Sequence, residues 1–274
     1  MLIAEGGVNA PPSFILYMKK DIVIPCHERH IKLLPECIKG IKENITDELG
    51  NIYVVIPNSN AFPDLPGVIY VSEDEWSCLN SKEIEDYWNK TTTIRPPRAG
   101  WIKQQFVKLN GFLRDELSDD FITVDADHYL LKPHTFEEAG IYTYYTRNLY
   151  MSWFEKCAEA IIRGIEPSYI IGPKWSPITE KMVFNKGILK SMKEEVEAAW
   201  HKPFWQLAID GCINDGYVMF SEFTLYNGYG KLRFPDRFVE KKEAFCASHI
   251  LPIEQMTYES VKGIFSNGDS VSFF

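Results

Sequence analysis

Hydrophobic positions along this chain change period several times, and each change predicts an element. Asp21-Ile22-Val23-Ile24-Pro25-Cys26 is a short apolar run entering a turn, the pattern of a buried strand. Behind it Ile31, Leu34, Ile38, Ile41 and Ile45 recur every three or four residues with lysines between them, which predicts a helix with one apolar face. Asn51-Ile52-Tyr53-Val54-Val55-Ile56-Pro57 and Val68-Ile69-Tyr70-Val71 read as a second and a third strand. A stretch rich in Thr, Pro and Arg, from Thr91 to Gly100, predicts a loop. Trp101 to Leu109 then opens a helix with an apolar face, and Phe121-Ile122-Thr123-Val124 is an apolar, β-branched strand. Helices are expected over Phe154 to Arg163, Gly187 to Trp200 and Pro203 to Ile213, the last with its proline near the first turn. Aromatics crowd the stretches from Tyr142 to Trp153 and from Trp200 to Tyr229.

Strands alternating with helices imply an α/β fold, a mostly parallel, Rossmann-like sheet flanked by helices. Ligands of such sheets bind beyond the carboxyl ends of the strands. Glu28, Glu73-Asp74, Asp125 and Asp127 all fall there. No internal repeat, low-complexity segment or linker interrupts the chain. The expectation is therefore an irregular leader over 1–20 and one domain over 21–274, divided into a nucleotide-binding half (21–133) and an acceptor-binding half (134–274). The leader carries Pro11-Pro12 and no charged stretch ahead of an apolar core, so it does not read as a signal peptide.

Composition narrows the function. The chain has 274 residues, 45% hydrophobic and 24% charged, as expected of a soluble globular protein able to bury a sizeable core. A net charge of -9 argues against a nucleic-acid binder and against broad electrostatic attachment to anionic lipid. The six cysteines are scattered without a C-x-x-C pair, which reads as reduced thiols in a cytosolic protein. No segment reaches the roughly 18 consecutive apolar residues of a membrane span.

The strand Phe121-Ile122-Thr123-Val124 ends in Asp125-Ala126-Asp127. Ionised carboxylates at the end of a buried strand are costly unless paired or bound to a metal. In extended backbone, residues i and i+2 share a side, so Asp125 and Asp127 are placed to converge on one divalent cation. Mg²⁺ or Mn²⁺ needs only one or two carboxylates and takes its other ligands from water and substrate phosphates. An isolated D-x-D triplet is also an ordinary loop or capping sequence; its position after a buried strand is what favours the metal.

Several pieces, taken in order, resemble the metal-dependent nucleotide-sugar glycosyltransferases of the GT-A fold, of the type that builds microbial surface polysaccharides. They are Val23-Ile24-Pro25-Cys26-His27-Glu28, the W-x-x-Q-Q-x-x-K-L helix from Trp101 to Leu109, Val124-Asp125-Ala126-Asp127, the segment from Ile178 to Asn185, and Phe220-Ser221-Glu222-Phe223-Thr224-Leu225-Tyr226. The resemblance implies that Asp127 binds the metal directly and that Asp125 binds the metal or the donor ribose. His249 is the implied further metal ligand, and Ala126 lies with the donor. Pro25, His27 and Glu28 lie where this fold grips base and ribose, although Glu28 also suits the start of a helix. Asp74 meets the nucleoside or belongs to a solvated acidic turn. Arg98 and Lys103 supply positive charge for a diphosphate, and Lys103 and Gln104 contact the donor.

On the acceptor side stand Thr179, Glu180, Lys181 and Asp210; Lys181 occupies a position where many relatives carry histidine. Glu222 is the favoured general base, with Asp210 and Glu180 as rivals, because inverting transfer needs a carboxylate to take the acceptor proton. If Ser221 caps a helix, Glu222 equally satisfies the helix dipole. The implied reaction moves a sugar from a UDP- or GDP-sugar to a hydroxyl of a glycan or glycolipid, with Mn²⁺ or Mg²⁺ as cofactor, in the cytoplasm or at the membrane periphery. Two alternatives stand beside it. An NDP-sugar nucleotidyltransferase is disfavoured because the turn after Ile24 lacks the glycines that cradle a triphosphate; the other is a non-catalytic nucleotide-sugar binding protein.

Overall fold

The computed structural model describes residues 19–57, 62–77, 79–92, 99–148, 152–168, 176–211, 220–248 and 256–273. The chain opens with strand β1 (Lys20–Pro25), every residue of it buried. Helix α1 (Leu34–Asn44) follows, then β2 (Leu49–Ile56) and β3 (Val68–Ser72). A short α2 (Glu73–Ser77), α3 (Ser81–Thr91) and α4 (Ala99–Leu109) lead to β4 (Asp120–Val124). These strands form a five-stranded sheet in the order β3-β2-β1-β4-β8, in which β8 (Lys181–Asn185) runs antiparallel to β4 and the other pairings are parallel. The mixed α/β architecture with a mostly parallel sheet is the one the alternating periods imply.

Helix α1 begins at Leu34 rather than Ile31. The imidazole of His27 accepts from the Arg29 backbone N–H and sets a tight 3-10 turn over Glu28–His30, which leaves Ile31 in the turn. Leu34, Ile38 and Ile41 bury the predicted face. A Cβ at Gly40 would lie 3.1 Å from the carbonyl oxygen of Leu130. Glycine there lets α1 press against β5 (His128–Leu130), the strand that leaves the aspartate turn. Asn44 ties the contact, its Nδ2 donating to Leu130 O at 2.9 Å.

The later part of the chain adds strands that the hydrophobic pattern does not announce. The pair β6 (Glu137–Glu138) and β7 (Ile141–Thr146) joins β9 (Phe238–Lys242) in one small sheet. In another, β10 (Phe245–Ser248) and β11 (Ser270–Phe273) join β5. Pairings between segments this far apart in sequence depend on tertiary packing, not on local propensity. The predicted helices appear as α5 (Ser152–Ile162), α6 (Lys186–Trp200) and α7 (Phe204–Asp210), before α8 (Glu222–Arg233) and α9 (Tyr258–Ile264). Cys212 and Ile213, expected in α7, lie outside the described residues. Among the described residues no helix is long and apolar enough to cross a membrane.

Candidate active site

Asp125, Ala126 and Asp127 form the turn between β4 and β5, and the backbone holds them on both sides. Asp125 N–H donates to Glu180 O at 2.9 Å, His128 N–H to Asp125 O at 3.0 Å, and Phe273 N–H to Asp127 O at 3.0 Å. Both carboxylates line a cleft of about 530 Å³ at the carboxyl end of β4. One face of α4 forms a wall: Trp101, Gln104, Gln105 and Lys108 recur at i, i+3, i+4 and i+7 and all border the cleft.

Lys108 is the residue that sequence reasoning missed. Its side chain is 1% exposed, yet its Nζ lies 2.6 Å from Asp125 Oδ1 and 2.7 Å from Glu222 Oε1. The first contact is an ion pair off the line of an ideal hydrogen bond; the second is a full hydrogen bond. Burial alone would lower the Lys108 pKa, but the two carboxylates overcome it and raise it above the ordinary lysine range. The ammonium also sits 4.4 Å from the centre of the Phe223 ring. Helical spacing from Trp101 and Gln104 was the available signal, since it puts Lys108 on the same face.

Glu222 is the first residue of α8, and Ser221 is its N-cap, accepting from Thr224 N–H at 3.3 Å. The carboxylate is 2% exposed and committed to Lys108. Burial pushes its pKa up against the pull of that ammonium. It also borders the cleft, so the same carboxylate serves the ion pair and faces the site.

Asp127 is differently placed. Burial and the neighbouring Asp125 push its carboxyl up to about 7. Its Oδ2 lies 3.4 Å from His30 Nε2, and burial with nearby Arg29 holds that imidazole down to about 4, so His30 is neutral at pH 7. No ammonium or guanidinium is paired with Asp127 among the described residues. Nor, among the described residues, do three or more His, Cys, Asp or Glu side chains converge to hold a metal. A carboxylate of uncompensated charge beside a neutral imidazole fits a Mg²⁺- or Mn²⁺-type ion that draws most of its ligands from water and phosphate.

Glu180 faces the same cleft from the segment entering β8. Its backbone is left-handed, φ 57°, a conformation that costs a side-chain-bearing residue about 1 kcal/mol or more. Burial pushes its carboxyl up to about 8, against the pull of Arg147. Arg147 Nη2 lies 3.4 Å from Glu180 Oε1, and its guanidinium stacks 4.1 Å from the centre of the Phe245 ring. Arg29, His30 and Arg147 also border the cleft without any local sequence signal to announce them.

The remaining expected residues divide between a second cavity and the core. Lys103 lies on the flank of α4 away from Lys108. Its Nζ is 2.5 Å from Asp74 Oδ1, 3.1 Å from Ser81 Oγ and 3.7 Å from Glu73 Oε2. Asp74 and Ser81 line a cavity of about 510 Å³ near the ends of β1 and β3. Burial raises the Glu73 pKa, while Lys103 and then His27 pull it down, so exposed His27 belongs to this neighbourhood. Pro25 is buried at the end of β1, and Glu28 is exposed in the turn.

Two acceptor-side expectations are corrected. Lys181 is wholly buried; its Nζ is 2.8 Å from both Glu243 carboxyl oxygens and 3.2 Å from Ser270 Oγ, in a network that continues through Glu243 to His134 Nε2 at 3.1 Å. As the first residue of β8 it points into the interior, beneath the cleft. Asp210 ends α7 and is held by Lys202 and by Tyr87 Oη at 2.9 Å, and it does not line the cleft. Thr179 is buried, its Oγ1 donating to Lys181 O at 3.3 Å. Arg98 and His249 lie outside the described residues.

No curated protein matches the chain. Among solved structures, the crystal structure of mouse xyloside xylosyltransferase 1 in its apo form matches with a TM-score of 0.45 and 9% identity, covering 93% of this chain and 97% of that one. The chain belongs to a family of unknown function, DUF6492, whose sequence pattern matches residues 13–271.

Proposed function

We propose that the protein is a GT-A-type glycosyltransferase that moves a sugar from a nucleotide-diphosphate donor to a hydroxyl group. The observation that carries this reading is the Asp125-Ala126-Asp127 turn, which presents two carboxylates at the carboxyl end of a central parallel strand in an open cleft. The cavity lined by Asp74 and Ser81, both hydrogen-bonded to Lys103, suits the nucleoside, and Pro25, His27 and Glu28, at and just after the end of β1, would extend its grip. Lys108 keeps one positive charge fixed beside the aspartates, and Arg29 lies at the cleft wall. Gln104 offers hydrogen bonds to the donor from the same helix face.

Asp127 would hold a divalent ion with His30 beside it, while Asp125, already paired with Lys108, faces the donor ribose. Bound there, Mg²⁺ or Mn²⁺ would supply Lewis-acid neutralisation of the departing nucleotide diphosphate. In the transfer, the acceptor oxygen forms a bond to the sugar's anomeric carbon as the bond from that carbon to the diphosphate oxygen breaks. The bonding pair leaves with the diphosphate, and the acceptor's proton passes to a carboxylate. Glu222, held by Lys108, and Glu180, held by Arg147, both border the cleft, and either is placed to take that proton. Attack from the face opposite the leaving group gives inversion.

The experiment is a panel of UDP- and GDP-sugars incubated with Mn²⁺, Mg²⁺ or EDTA, read as released nucleotide diphosphate. Slow, metal-dependent hydrolysis of one donor is expected, together with a rise in melting temperature when that donor binds. Asp127→Ala should keep its fold and lose the hydrolysis. Full turnover in EDTA or in Asp127→Ala would refute the metal-assisted reading. Tight donor binding with no turnover in any condition would favour a binding protein.

A further inference from the structure

The Arg147–Glu180 pair is only half made. A guanidinium and a carboxylate in free choice form two parallel hydrogen bonds, each roughly 2.7–2.9 Å. Here one contact is made, at 3.4 Å. Glu180 Oε2 and Arg147 Nε are both buried and have no hydrogen-bond partner among the described residues. Each such group left unmade costs about 1–3 kcal/mol. Glu180 also bears the cost of a left-handed backbone, φ 57°. Strain and unsatisfied polar atoms coincide on one residue at the wall of the cleft, and the same residue fixes the aspartate turn through its carbonyl. This combination is what a ligand-binding position stores and a merely structural one discharges.

The surroundings define what would complete the pair. Phe154, Ile178, Phe223 and Ala247 line the same cleft among its charged groups, so a molecule bound there meets apolar surface as well as the pair. A phosphate or carboxylate that satisfied Arg147 would meet the Glu180 carboxyl at the same point. Two adjacent hydroxyls satisfy both: one donates to the Glu180 carboxyl, and the other accepts from the Arg147 guanidinium. A pyranose ring has that arrangement on its edge and apolar C–H groups on its faces.

We propose that Arg147 and Glu180 together form the acceptor subsite, and that it selects a neutral pyranose by a vicinal pair of hydroxyls. The inference rests on the glycosyl-transfer reading in assigning the rest of the cleft to the donor. Lys181, beside Glu180 in the chain, takes no part, because it is spent in the core.

The test is saturation-transfer NMR on the full chain with nucleotide diphosphate and diamagnetic Mg²⁺ present. The probes are neutral methyl pyranosides, their monodeoxy analogues, a methyl glucuronide and glucose 6-phosphate. A neutral pyranoside should bind, and removing either hydroxyl of one vicinal pair should weaken it about tenfold, the effect of one lost charge-assisted hydrogen bond. Glu180→Gln and Arg147→Lys should weaken it as much while leaving stabilisation by the nucleotide unchanged. Stronger binding of the anionic sugars, no binding of any neutral one, or indifference to both variants would overturn the proposal; the last would mean that water fills the gap. If a variant fails to fold, the deoxy series on the unaltered protein decides alone. Failure of the glycosyl-transfer reading shows separately, as no metal-dependent stabilisation or hydrolysis of any nucleotide sugar.

Discussion

Lys108→Met tests the electrostatic centre of the site. The methionine keeps the length and apolar stem of the lysine, so little packing is lost. What disappears is the ammonium 2.6 Å from Asp125 and 2.7 Å from Glu222, with Lys108 1% and Glu222 2% exposed. Breaking a buried ion pair from one side costs about 3–5 kcal/mol, because Glu222 stays buried without its ammonium; Asp125, 18% exposed, retains some water. For a chain of this size each kcal/mol shifts the melting temperature by roughly 2–4 °C, so a fall of about 10 °C is expected. The assay is thermal and urea denaturation of Lys108→Met, Glu222→Leu and the double variant at pH 7. Glu222→Leu alone leaves Lys108 with Asp125 and should cost less. In the double variant the Lys108–Glu222 pair is gone from both sides, so it should be more stable than the sum of the single changes by about 1–3 kcal/mol. A Lys108→Met protein within about 0.5 kcal/mol of the parent, the range of an ordinary surface change, would refute the reasoning. It would mean that the upward pull of burial on Glu222 already leaves that carboxyl neutral and the ammonium dispensable.

Glu180→Gly should raise the melting temperature, since it relieves a left-handed φ of 57° and removes a buried carboxyl oxygen without a partner; the gain is about 1 kcal/mol, with transfer to acceptor reduced. A lowered stability would show that the Arg147 contact outweighs the strain. Lys181→Met should cost about 3–5 kcal/mol by stranding Glu243, whereas Asp210→Ala, which breaks a half-exposed pair with Lys202, should cost at most about 1 kcal/mol; chemical denaturation of the two variants checks the order. The stability that neutral His134 contributes should fall as pH drops below 6.5, while the raised carboxyls of Asp127 and Glu180 act in the opposite direction. Burial, partly offset by Glu243, holds His134 below its ordinary 6.5, so the unfolded chain takes up that proton first, at a cost of at most about 1.4 kcal/mol per pH unit. Glu243 acts in the same direction at lower pH: Lys181 and His134 overcome its burial and depress its pKa, so the stability it gives is present above 4.5 and lost as pH falls through its folded value. A difference in melting temperature between the parent and His134→Gln that stays constant from pH 7 to 5 would contradict the His134 assignment.

Much of this protein is legible from local periodicity. An apolar run one strand long, ended by two aspartates, places Asp125 and Asp127 at the carboxyl end of β4, because a buried strand must end where the charges begin. Helical spacing fixes the face of α4 that carries Trp101, Gln104 and Lys108, and a serine before a glutamate marks the start of α8. The turn at His27 that shortens α1 is harder to read, because it depends on a ring nitrogen finding the Arg29 backbone N–H.

The charges themselves were decided by tertiary structure. Lys108 and Glu222 lie 114 residues apart in sequence, and nothing local announces that this glutamate and this lysine will meet. Glu180 and Lys181 adjoin in sequence, yet the left-handed turn at Glu180 sends one to the cleft and the other to the core. Arg147 reaches Glu180 only because its backbone pairs with Ser176. Periodicity reports which side of an element is apolar. Which buried charges meet depends on how elements distant in the chain are brought together, and each meeting is settled by the cost of leaving a charge alone out of water.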